Sequence, residues 1–191
     1  MAPRVGTPFP YKPFKVVAMR KKITITLVTL LLFQSCAYAA TPNKYAAAQK
    51  TAPYQILQPS FVGDLLIRTF AMQTCGATNP KSLQAIYGED RSIQILETDS
   101  AVKCQNPGIG VKVATATING NKATIVAFCD PANKVQWKKC STADISNGGG
   151  YALWKVPAAG KLHGTEVEVI VSGFTYANLL KIARGMTTKY D

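Results

Sequence analysis

Polar and apolar positions alternate most cleanly over Thr165–Ser172, where Val167, Val169 and Val171 fall in one phase and Glu166, Glu168 and Ile170 in the other. A period of two marks a strand with two different faces. The runs Val111–Ile118 and Ala123–Cys129 are rich in β-favouring residues and are joined by Asn119-Gly120-Asn121-Lys122. Asn-Gly between such runs predicts a tight hairpin, because both residues tolerate positive φ. Ser92–Thr98 reads as one more strand.

Helical spacing predicts three further elements. Ser60 is placed to cap a helix carrying Val62, Leu65, Leu66, Thr69, Phe70 and Gln73 on one side and ending near Gly76. Asn79-Pro80 opens a short turn or helix through Leu83, Ile86 and Tyr87, with Gly88 as its stop. A closing helix runs from about Thr175 to Arg184, with Tyr176, Leu179, Leu180 and Ala183 on its apolar face and Gly185 after it. Lys181 and Arg184 suit its negative end.

Upstream of these elements, Arg20, Lys21 and Lys22 lead into an uncharged run, Ile23–Phe33, followed by the small-residue triplet Ala37-Tyr38-Ala39. That order is the pattern of a secretory signal peptide. The run would reach only about 16 Å as a helix, roughly half a hydrocarbon core. Cleavage after Ala39 is expected, with an alternative start at Met19. A minority reading makes Cys36 a lipid-bearing residue, although Phe33, Gln34 and Ser35 are poor neighbours for it. Residues 1–39 are thus read as a leader, 40–60 as a flexible lead-in, and 61–191 as a single domain. No transmembrane segment is expected once the leader is removed.

Four cysteines remain: Cys75, Cys104, Cys129 and Cys140. In an exported chain they imply two disulfides, and the absence of a Cys-x-x-Cys pair disfavours zinc or thioredoxin-like chemistry. Three pairings are formally open; the preferred one joins Cys129 to Cys140 and Cys75 to Cys104. The fold expected is therefore α+β: a small, mainly antiparallel β-sheet flanked by an N-terminal and a C-terminal helix and braced by two disulfides.

The chain has 191 residues, with 22 Lys and Arg against 10 Asp and Glu. Without the leader's Arg4, Lys12, Lys15, Arg20, Lys21 and Lys22, the balance falls from +12 to +6. A charge of that size fits ordinary solubility and permits contact with anionic polymers without requiring it. The single His excludes multi-His metal sites and mechanisms that need two imidazoles.

Lys134-Val-Gln-Trp-Lys-Lys-Cys140 interleaves an aromatic ring with three cations and is the best contact surface in the sequence. Its candidate binding residues are Lys134, Trp137, Lys138 and Lys139, with Trp137 also suited to fold back onto the core. Tyr151 and Trp154, after Gly148-Gly149-Gly150, could line a groove or fill the core. Glu166 and Glu168 project from one strand face and read as solvated. His163 could act as a base with Asp130 or Asp144 and one of Ser141, Ser146 or Ser172, but no Gly-x-Ser-x-Gly frame surrounds those serines.

No motif carries a family resemblance. The expectation is an exported, periplasmic or cell-surface, non-catalytic binding protein, such as an accessory component of a bacterial secretion, conjugation or adhesion apparatus. Its partner would be an envelope protein or an anionic surface polymer, with no specific nucleic acid and no cofactor or metal. The rival expectations are a small secreted hydrolase or toxin using His163, and an anionic-glycan binder.

Overall fold

The computed structural model describes residues 43–74, 81–102, 104 and 108–190. In chain order its helices are α1 (Lys44–Gln49), α2 (Lys134–Lys139), α3 (Ile145–Gly148) and α4 (Tyr176–Arg184), four short helices among the described residues. The long strands are β2 (Ile67–Thr74), β3 (Lys81–Gly88), β4 (Ser92–Asp99), β5 (Val111–Ile118), β6 (Asn121–Ala127), β7 (Gly150–Val156) and β8 (Thr165–Ser172). They form one seven-stranded sheet in the order β2-β3-β4-β8-β7-β6-β5. Every neighbouring pair is antiparallel. Two short strands, β1 (Gln58–Pro59) and β9 (Met186–Thr187), pair with each other.

Local chemistry accounts for the hairpin between β5 and β6. Asn119 and Gly120 have φ values of 47° and 81°, the two positive angles that a tight two-residue turn requires. The alternation expected for β8 is also present. Val167, Val169 and Val171 face the core, and Val169 and Val171 are in register with Ile95 and Ile93 of β4. On the other side of β8, Ala152 of β7 continues the same row to Ile125 of β6. This inner face is the core, and each fully buried Ile or Val in it contributes about 1.5–3 kcal/mol.

The cover over that face differs from the flanking helices expected. Of the segment read as a helix, residues 61–66 are a loop and 67–74 are β2, and residues 81–88, read as a short turn or helix, are β3. In both, apolar residues fall by coincidence at helical spacing, but Leu83, Ala85 and Tyr87 also alternate, and all three are buried. Pairing of β3 with both β2 and β4 satisfies its backbone and overrides the weak helical period. The closing helix is correct: Thr175 Oγ1 accepts the Asn178 N–H at 3.3 Å, and Leu179, Ile182 and Ala183 are buried.

The expected flexible lead-in is corrected from residue 43 onward. Asn43 caps α1 through the N–H groups of Tyr45 and Ala46, and Tyr45, Ala48, Ala52, Tyr54, Ile56 and Leu57 all belong to the core. The segment is laid across the sheet as a strap. It had no recognisable period because it fills a groove rather than presenting one face. Its polar groups are satisfied one by one. The Tyr54 hydroxyl donates to the Glu97 carbonyl and accepts from the Leu83 N–H, both at 3.0 Å. Tyr190 closes the outside, its hydroxyl lying 2.7 Å from the Ile56 carbonyl.

Cys129 and Cys140 form a disulfide, the one complete bridge among the described residues. Cys104 is disulfide-bonded, but Cys75 lies outside the described residues, and so does the pairing expected for it. The leader, the Met19 start and Cys36 also fall outside them. No described helix is long and apolar enough to cross a membrane.

Candidate functional site

The basic-aromatic segment is a short helix. α2 starts at Asn133, whose Oδ1 accepts the Gln136 N–H at 3.0 Å, and ends at Cys140, whose sulfur is bonded to Cys129. Six residues are too few to hold a helix in water unaided. The cap and the disulfide, which ties both sides of the segment to the end of β6, supply the missing constraint. Trp137 is half-buried and packs against the core, while Lys134, Lys138 and Lys139 are exposed, as is Val135 at 64%. None of the three lysines has an ion-pair partner among the described residues. Lys138 and Lys139 stand in the last turn, where positive charge suits the helix dipole.

Tyr151 and Trp154 do not join them in a groove. They lie on opposite faces of β7 and are 7% and 2% exposed. Trp154 points to the core row of Ala123 and Val167, whereas Tyr151 packs against Phe128 with ring centroids 5.7 Å apart. An aromatic groove built from Trp137, Tyr151 and Trp154 is therefore excluded.

His163 pairs with a carboxylate that the sequence did not single out. Its Nδ1 lies 2.6 Å from Asp99 Oδ2, and the other Asp99 oxygen accepts the Ala101 N–H at 3.0 Å. Burial alone would raise the Asp99 pKa, but the His163 and Ala101 hydrogen bonds and the nearby imidazole outweigh it and hold it below the ordinary value. The His163 N–H donates to the Pro53 carbonyl, so the same residue pins the strap. The acids and hydroxyls expected beside it are elsewhere. Asp130 accepts the Ala132 N–H, Asp144 bonds the Ser141 hydroxyl at 2.9 Å, and Ser172 stands at the far end of β8. No hydroxyl among the described residues hydrogen-bonds the imidazole, and 61% of the His163 side chain is exposed.

Two buried carboxyls complete the electrostatic picture. Glu97 is fully buried beneath the strap, with Oε2 accepting the Leu57 N–H at 3.0 Å and Oε1 unpartnered. Burial drives its pKa well above the usual carboxyl range, against the opposing pull of that hydrogen bond. Glu168, expected on a solvated face, is also fully buried, and neither carboxyl oxygen has a hydrogen-bond partner. Burial first and the neighbouring Glu166 second push it up to about 7. Glu97 had a visible signal, since it continues the inward phase of Ile93 and Ile95. Glu168 had none, because its phase is the outer one.

Cys129, Cys140 and Asp144 converge, but the two sulfurs are bonded to each other and the Asp144 carboxylate caps Ser141. Thiolate ligation is therefore closed to them in the oxidised protein. No family model, curated protein or solved structure matches the chain.

Proposed function

We propose that the protein is an exported, non-catalytic binding module that presents α2 to an acidic partner of the cell envelope, as an accessory component of a secretion, conjugation or adhesion assembly. The observation that carries this reading is the clamped, capped helix with three exposed and unpaired lysines beside Val135. A rigid cationic element loses little entropy on docking, and such charge steers acidic partners. The disulfide supports export, because such bonds persist in oxidising compartments, and the basic-apolar-small order of the leader supports it independently. The strap already orders against its own sheet, so ordering of residues 43–60 on a partner is not part of this mechanism.

A photo-crosslinker placed at Val135 in producing cells tests the proposal. One dominant adduct with an envelope component is expected, and it is lost in Lys138→Glu/Lys139→Glu while the fold is kept. Adducts that are unchanged in the charge-reversed variant would overturn it. A second reading, hydrolysis with His163 as general base, is favoured by the Asp99 pair that orients the imidazole. Any hydrolytic activity of the purified protein that disappears in His163→Gln would support that reading over the first.

A further inference from the structure

The outer face of the sheet carries a second set of groups that α2 does not use. Over β6, β7 and β8 it forms an open hollow of about 370 Å³, lined among others by Lys122, Thr124, Leu153, Lys155 and Glu166. We propose that this hollow is a binding site for an acidic saccharide, a sugar ring bearing a carboxylate.

Three observations point there. First, the register places like charges side by side. Ala123 pairs with Trp154, so one step further Lys122 faces Lys155 across the β6–β7 pair. Like charges directly opposite are destabilising. Glu166, the partner of Lys155 in β8, relieves one of them, with Nζ and Oε2 3.4 Å apart. Lys122 has no acid among the described residues. An anionic group between the two lysines would complete the arrangement.

Second, a free hydroxyl stands beside the cations. One row along, Thr124, Leu153 and Glu168 lie in register across β6, β7 and β8. Thr124 lines the hollow and its hydroxyl makes no hydrogen bond among the described residues, whereas Glu168 is fully buried and lies outside the lining. Rows two residues apart on one strand are about 6.7 Å apart. The site thus sets cations at one end and the unspent Thr124 hydroxyl at the other, within the span of one sugar ring. A carboxylate on a ring of hydroxyls supplies both kinds of partner, whereas an acidic side chain of a peptide supplies only the anion. Third, the hollow is open and has Leu153 in its lining, so a ring can lie flat with its apolar face on that side chain. The hollow falls within the usual range for small-ligand sites, about 300–1,000 Å³.

The proposal is independent of the docking role of α2, and its test separates the two. Protein purified from producing cells is labelled with ¹⁵N and titrated with a glucuronate-containing disaccharide, a neutral disaccharide of equal size, and inorganic sulfate. The acidic disaccharide is expected to shift the amides of Lys122, Thr124 and Leu153. Binding is expected to weaken at least tenfold in Lys122→Ala and with the neutral sugar, and to be unchanged in Lys138→Ala/Lys139→Ala. Thr124→Val is expected to weaken binding of the acidic disaccharide. Equal shifts with sulfate, equal affinity for the neutral sugar, or shifts confined to Lys134–Lys139 would each overturn it.

Discussion

Replacing Glu168 by Gln removes a charge that the fold resists. The side chain is fully buried with both oxygens unpartnered, and its pKa is pushed from 4.5 to about 7. A folded-state pKa above the unfolded value means that the native protein binds the proton more tightly. The contribution of Glu168 to stability is therefore greatest below about pH 4.5, falls as pH rises to about 7, and then levels off. At about 1.36 kcal/mol per unit the whole shift would correspond to about 3 kcal/mol, of which about 2 kcal/mol or slightly more is titrated between about pH 5 and about pH 8.5. Gln keeps the shape and stays neutral at every pH. Urea unfolding of wild type and Glu168→Gln at about pH 5 and about pH 8.5 isolates this group, because all other titrations are common to both. The variant is expected to gain about 2 kcal/mol on the wild type between the two conditions. Parallel pH dependences, within about 0.5 kcal/mol, would refute the claim that Glu168 is held in a dry site.

Three other outcomes follow from the same structure. Tyr54→Phe leaves the Leu83 N–H without its acceptor in the core and is expected to cost about 1–3 kcal/mol in denaturant unfolding. Removing the Cys129–Cys140 bridge as a double Ser variant frees a short loop and is expected to cost about 3 kcal/mol, with loss of α2 amide protection in hydrogen exchange while the β3–β4–β8 amides stay protected. Asp99 is held below its ordinary pKa, so its contribution to stability is present above that value and lost as pH falls through the folded one. His163→Gln is expected to flatten that acid limb, measured as the pH dependence of the thermal midpoint.

Elements whose information is local were legible in the chain. Asn119-Gly120 dictates positive φ at two adjacent residues, so the hairpin needs no distant partner to be inferred. The valine stripe of β8 and the Thr175-to-Gly185 helix likewise carry their own period and caps. The Cys129–Cys140 bridge was preferred from a short separation, and proximity along the chain brought it about.

Only the tertiary structure decided the rest. Residues 61–74 and 81–88 hold apolar positions compatible with helix or strand, and the choice fell to β4, which offers β3 an unsatisfied edge. The strap over 43–57 has no period because its side chains fill a surface that exists only once the sheet has formed. His163 meets Asp99 from 64 residues away, in preference to the acids at 130 and 144 that the sequence suggested. Glu168 obeys the alternation that places it outward, yet is buried, because alternation assigns a face of the sheet and says nothing about whether water reaches it. Periodicity and turn chemistry are set by neighbours a few residues apart. Burial, ion pairing and the pKa values that depend on them are set by whatever the folded chain brings within a few ångströms.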